Sequence, residues 1–199
     1  FYTNQIEVIR HVAKSLPIEY LLYVKENPSN VTRDWRDISQ YKEIMNIPNV
    51  KLIHPNFSNI ELLSNCDLVI SIAGSSGFEA AFYEKPSIVF GNVLYSKLPS
   101  VNKVKELETL PQLIRNALKQ KVNAIDLERF LTILKENTFE FDMVEFASII
   151  ANKFYRDASS VDVEIDESEV KEFIKNNIEL IEILSSVHAK KIEQYKGDN

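Results

Sequence analysis

The stretch Cys66-Asp67-Leu68-Val69-Ile70-Ser71-Ile72-Ala73-Gly74-Ser75-Ser76-Gly77-Phe78-Glu79-Ala80-Ala81-Phe82-Tyr83-Glu84-Lys85-Pro86-Ser87-Ile88-Val89-Phe90-Gly91 decides how the chain is to be read. Residues 68–72 are a short apolar run rich in β-branched side chains, the composition of a strand buried on both faces. Gly74-Ser75-Ser76-Gly77 interrupts the run with small residues. Phe78, Ala80, Ala81 and Phe82 then suit a short helix packed on a sheet, and Pro86 ends it before a second strand at 87–90. A parallel sheet presents such a turn at the carboxyl ends of its strands, where unpaired helix amides can hold a phosphate or another anion.

Working outward, the same alternation recurs. Ile6, Ile9, Val12, Ala13 and Leu16 have helical spacing, with Asn4 as cap and Pro17 as stop, and 20–24 follows as a strand. After a polar loop containing Trp35, the residues Ile38, Tyr41, Ile44 and Met45 predict a second helix, closed by Pro48, and 50–53 is the next strand. His54-Pro55-Asn56 turns the chain, and Ser58 with Glu61 forms a capping box for a helix to about Asn65. Helix and strand alternate with short links, so the fold class is α/β: a Rossmann-like, mainly parallel sheet with helices on both faces. Residues 101–104 add an edge strand, and Thr109 caps a helix with Pro111 in its first turn. Beyond it 123–135 and 142–155 read as helices, the latter with a capping box of Asp142 and Glu145. The spacing of Val170, Phe173, Ile174, Ile178, Ile181, Leu184, Val187 and Ile192 predicts one long helix over 167–195, capped by Asp166 and Glu169. At about 1.5 Å per residue it would be roughly 40 Å long, more than one small domain needs. The expected division is therefore 1–120 for the Rossmann-like domain and 121–199 for an all-helical C-terminal tail that packs on it or on a missing N-terminal domain.

Composition narrows the function classes. In 199 residues, 45% hydrophobic and 26% charged, there is room for one substantial core and no apolar run that spans a bilayer, which needs ~20 residues. A single cysteine, Cys66, precludes an internal disulfide and a Cys-based zinc cluster, so the expected compartment is the cytoplasm and no metal is expected. The net charge of −6 and the acidic run 162–172 argue against nucleic acid, whose phosphates are bound by clustered Lys and Arg. No polybasic run marks a lipid surface, and peripheral association at the inner face of the membrane is left open. Opening on Phe1 and entering a helix almost at once, the chain is expected to lack an amino-terminal part.

Candidate residues cluster after strands. Ser75, Ser76 and Gly77 let a phosphate approach the backbone; equally, Ser76 could only cap the helix, with Glu79 as its capping-box partner. Glu79 could instead accept hydrogen bonds from a ribose. Lys25 and Asn27 stand at the first exit turn, where they could neutralise and bond a phosphate, against the commoner solvated turn. Of three histidines only His54 lies at such a turn; His11 and His188 fall on helices. Three of the four glycines, Gly74, Gly77 and Gly91, fall in the opening stretch, which favours a site of close backbone approach. Cys66 reads as packing. Trp35 and Tyr95 could stack on a base or sugar, although isolated aromatics usually pack. No Ser-His-Asp order, Walker A lysine, GxGxxG or metal-ligand cluster is present.

The run Tyr23-Val24-Lys25-Glu26-Asn27-Pro28, then Pro48-Asn49-Val50-Lys51-Leu52-Ile53, then Gly74-Ser75-Ser76-Gly77-Phe78-Glu79-Ala80, then Lys85-Pro86-Ser87-Ile88-Val89-Phe90-Gly91 with Tyr95, resembles the capsule polysaccharide biosynthesis family. Those proteins are similar to GT-B fold glycosyltransferases, which have two Rossmann-like domains and a cleft between them. The resemblance covers about 21–118 and is to the carboxyl-terminal, donor-binding half. It implies transfer of a sugar from a CMP-, UDP- or GDP-linked nucleotide sugar to a glycan or glycolipid acceptor. The donor would be bound by Lys25, Asn27, His54, Gly74, Ser75, Ser76, Gly77, Glu79 and Tyr95, with phosphate on Ser75, Ser76 and Gly77 and ribose on Glu79. The family usually has Lys-Glu-His-Pro where Asn27 stands here; Asn can donate a hydrogen bond but carries no charge, and His54 is the candidate substitute. The catalytic residues are expected from the missing N-terminal domain or a partner subunit, so this chain alone should be nearly inactive. Two other readings stay open: half of a sugar-nucleotide epimerase, or a non-catalytic interaction module.

Overall fold

The computed structural model describes residues 4–27, 36–155 and 164–197, so Trp35 and Pro28 lie outside the described residues. Two compact units form, 1–133 and 134–199. In the first, α1 (Gln5–Ser15), β1 (Leu22–Lys25), α2 (Ile38–Met45), β2 (Val50–Ile53), α3 (Asn59–Asn65), β3 (Val69–Ser71), α4 (Ser76–Phe82) and β4 (Ser87–Val89) alternate as the spacing predicts. β5 (Val101–Lys103), α5 (Leu110–Ala117) and the start of α6 (Ala124–Asn137) follow, with short 3-10 turns at Leu94–Lys97 and Leu107–Thr109. The caps act where the sequence put them: Asn4 accepts from the amides of Ile6 and Glu7, and Ser58 from that of Glu61. Thr109 takes the N-cap position of α5 as expected, but its hydroxyl donates back to the Glu106 carbonyl at 2.8 Å and makes no side-chain cap bond.

Among the described residues every strand pair is parallel, but the strands form two ladders, β1–β2 and β3–β4–β5. The expected sheet is thus joined across its middle by side chains. Leu22 of β1 and Ile70 of β3 both pack on the cluster of Val8, Val12, Ile88, Phe90, Leu110 and Ile114. β4 is central and wholly buried, and its alternation separates two layers. Ile88 faces α1 and α5, whereas Val89 packs with Ala81 of α4, Leu98, Val101, and Leu127 and Phe130 of α6. Helices therefore cover both faces, and the strands' carboxyl ends stay free for polar turns.

In the second unit, α7 (Met143–Phe154) meets α8 (Glu167–Asn176) through the Phe154 and Phe173 rings, 5.0 Å apart, and through Lys153 and Glu172 at 3.3 Å. The single helix expected over 167–195 is broken: α9 (Ile178–Gly197) starts anew after Asn177. The Asn177 side chain donates to the Phe173 carbonyl at 2.9 Å, which its own amide also uses, and its backbone leaves the helix at φ −122° and ψ 26°. Local side-chain bonding of this kind competes with helix propagation even where the apolar spacing continues.

Candidate functional site

The sequence-derived candidates fall into two groups, one on each ladder. In the first, β1 ends at Lys25, paired in register with Ile53, so His54 leaves β2 beside it. Lys25 is half-buried and its Nζ donates to Asn59 Oδ1, the first residue of α3, which ties the two exit turns together. His54 is exposed, and its Nδ1 accepts the Asn56 amide at 3.2 Å, so the neutral ring carries its proton on Nε2. Asn27 is exposed, and its backbone amide donates to Glu26 Oε1 at 3.2 Å.

Glu26 itself was missed by sequence reasoning. Only 9% of it is exposed, and its carboxylate receives Arg36 Nε at 2.8 Å and the Tyr41 hydroxyl at 3.4 Å. Alternation was the available signal, since a side chain between two rim residues at a strand end points inward.

The second group surrounds the entry to α4. Ser71 ends β3, and its Oγ accepts the Gly74 amide at 2.9 Å, shaping the turn. The amides of Gly77 and Phe78 turn back to the carbonyls of Gly74 and Ser75, and that of Glu79 to Ser75. Among the described residues the Ser75 and Ser76 amides bond nothing and remain available as donors.

The capping box expected of Ser76 and Glu79 does not form. The cap is Ser75, in helical backbone conformation and without a side-chain cap bond; its hydroxyl donates to Glu79 Oε1 at 2.7 Å. Because Ser75 already has helical dihedrals, its hydroxyl cannot reach the N2 or N3 amide and turns to the carboxylate instead. Glu79 is thus held by a hydroxyl rather than by the backbone.

Tyr95 and the glycines take internal roles. The Tyr95 hydroxyl donates to the Gly74 carbonyl, and its ring stacks on Phe78 with centroids 5.8 Å apart. Burial, and then the Glu79 carboxylate, push its phenol up. A Cβ on Gly77 would meet Tyr95 Oη and Val89 Cγ1 at 3.1 Å, and one on Gly91 would meet the Ile72 carbonyl oxygen at 3.0 Å. The close approach expected of these glycines is therefore made by the protein's own packing, and Ser87 Oγ completes it by donating to the Gly77 carbonyl at 2.7 Å. Burial also pushes the Cys66 thiol up, away from nucleophilic character, with Lys85 opposing.

In the second group hydrogen bonds join Ser75 to Glu79 and Tyr95 to Gly74, whereas in the first Lys25 bonds Asn59 and His54 bonds Asn56. Among those residues no three His, Cys, Asp or Glu side chains gather to hold a metal, and no helix is long and apolar enough to cross a membrane.

No curated protein matches the chain. One solved structure that does, titled "Crystal Structure Analysis of the Glycotransferase of kitacinnamycin", shares 15% identity with a TM-score of 0.38 and covers 66% of this chain. This chain spans about a third of that protein, 34% of its length. The family model for capsule polysaccharide biosynthesis proteins matches residues 3–129, a wider span than the motifs alone, and takes in both groups of candidate residues. Matched over more than half of its length, the chain belongs to the capsule polysaccharide biosynthesis family.

Proposed function

We propose that this chain carries the nucleotide-sugar donor site of a glycosyltransferase for surface polysaccharide, as the carboxyl-terminal half of a GT-B architecture. The observation that carries the reading is the coincidence of the family match with polar turns at the carboxyl ends of three parallel strands: Lys25, Asn27 and His54 at the ends of β1 and β2, Ser75, Ser76 and Glu79 after β3. Ligands of open parallel sheets bind at that edge.

In this reading residues 1–120 are the donor domain and 121–199 its helical extension. The donor is a CMP-, UDP- or GDP-linked sugar, the acceptor a glycan or glycolipid, and the catalytic base comes from a further domain or subunit. As the glycosidic bond to the nucleotide breaks, negative charge grows on the leaving phosphate. The Ser75 and Ser76 amides and the Lys25 ammonium would stabilise that charge more than the ground state, which lowers the barrier. Glu79, already accepting from a hydroxyl, suits a ribose diol. Tyr95, with its hydroxyl on Gly74 and its ring on Phe78, would shape the turn rather than stack on a base. Work of this kind belongs in the cytoplasm, where nucleotide sugars are made and used.

Asn27 supports a second reading, a non-catalytic module, because it cannot supply the positive charge of the family's usual histidine. Calorimetric titration with CMP, UDP and GDP at millimolar concentration tests the donor site. Saturable binding of one nucleotide is expected, and binding of none refutes the site.

A further inference from the structure

We infer that Glu26 is a positioning residue: an inward ion pair with Arg36 makes it a fixed acceptor that holds the Asn27 backbone, and with it the Lys25–Asn27 turn, facing the donor phosphate. This rests on the donor-site reading above. Extended chain alternates its side chains, so at the end of β1 Glu26 points opposite to Lys25 and Asn27. Accordingly Glu26 is buried while Asn27 is exposed and Lys25 half-buried.

Its carboxylate is bonded from several directions. Oε2 accepts Arg36 Nε at 2.8 Å and the Tyr41 hydroxyl at 3.4 Å; Oε1 accepts Arg36 Nη2 at 3.5 Å and the Asn27 amide at 3.2 Å. Arg36, 16% exposed in its side chain, continues to Gln5 Oε1 of α1. The exit of β1 is thereby fastened to α1 and α2, the two helices flanking it.

Stability alone gives little reason for this arrangement. A buried ion pair can usually be replaced by apolar residues of similar volume with no loss. What an apolar pair cannot do is accept the Asn27 N–H, and Asn27 and Lys25 are the residues that a phosphate would meet. A charged acceptor, immobilised by Arg36, sets the direction of that turn before any ligand arrives, which is how a supporting contact preorganises a site.

Two substitutions separate the roles. Glu26→Gln keeps an oxygen for the Asn27 amide but leaves Arg36 without its counter-charge. The exchange Glu26→Arg with Arg36→Glu keeps an ion pair but puts a group with no acceptor beside Asn27. Melting temperature, amide hydrogen exchange at Asn27, and affinity for CMP, UDP and GDP are measured on each. Positioning requires that Glu26→Gln melt lower yet keep Asn27 protection and affinity within about threefold. The exchanged pair should melt near the wild type, with Asn27 exchange faster and affinity weaker by about tenfold, the usual effect of losing a hydrogen bond to a charged group. If protection and affinity instead follow melting temperature in both proteins, Glu26 is structural only and the inference is overturned. Should the wild type bind no nucleotide, the donor reading fails by itself, and the Asn27 exchange rates still decide whether Glu26 holds the turn.

Discussion

The helix that carries Ser76 and Glu79 ends in a conformation unsuited to its residue, and this allows a clean test of how its position is maintained. After Tyr83 the chain passes through Glu84 at φ 56°, the left-handed region. The Lys85 amide reaches back to the Ala80 carbonyl at 3.0 Å and the Glu84 amide to that of Ala81 at 3.2 Å, a Schellman motif with glutamate where glycine is usual. Its side chain is exposed and bonds nothing among the described residues, so removing it forfeits no contact.

A non-glycine residue in this region is strained by ~1–2 kcal/mol. Glycine relieves the strain but loses roughly 0.5–1 kcal/mol more conformational entropy on folding. Glu84→Gly should therefore stabilise the unit by about 0.5–1 kcal/mol, raising its midpoint by roughly 2–4 °C. Glu84→Ala is the control, since it removes the same side chain and keeps the strain; its midpoint should stay near that of the wild type. Thermal and urea unfolding followed by circular dichroism measure both. A glycine variant no more stable than the alanine variant refutes the reasoning, because backbone strain would then not distinguish them.

Other expectations follow from the same geometry. Glu79→Gln should change stability by less than about 0.5 kcal/mol, since Glu79 caps nothing; if it contacts ribose, nucleotide affinity falls about tenfold in calorimetry, and an unchanged affinity leaves it as a partner of Ser75 only. Leu110 is fully buried among Val8, Val12 and Ile114, so Leu110→Ala should lower unfolding free energy by ~2–5 kcal/mol in urea titration. Because Tyr95 has a raised pKa when folded, its contribution is complete below the ordinary phenol pKa of ~10 and lost as pH rises through the folded value. Melting temperature should accordingly fall more steeply above about pH 10 in the wild type than in Tyr95→Phe.

Much of the fold could be read from local signals. Apolar runs, helical spacing and proline stops located β2, α3, α4 and β4, because each depends on residues within one or two turns of chain. Of the boundaries that moved, one did so for a tertiary reason and one for a local reason that apolar spacing does not report. Apolar composition puts β1 at 20–24, whereas it forms at Leu22–Lys25, where its register with Val50–Ile53 pairs it. The long terminal helix failed at Asn177, where the apolar period continues but a side-chain amide takes over a helix carbonyl.

The candidate site divides in the same way. Residue type and order alone placed Lys25, Asn27, His54, Ser75, Ser76 and Glu79 after parallel strands, and the motifs they form carried the family resemblance that the match over 3–129 bears out. Only the tertiary structure decided what those residues hold. It turned Ser75 rather than Ser76 into the cap and tied it to Glu79; it filled the space beside Gly77 with Tyr95 and Val89; and it drew Arg36 onto Glu26 across ten residues of chain. Hydrophobic period is a property of consecutive residues and survives in the sequence. The partners of a polar side chain depend on which elements pack together, so they exist only once the chain has folded.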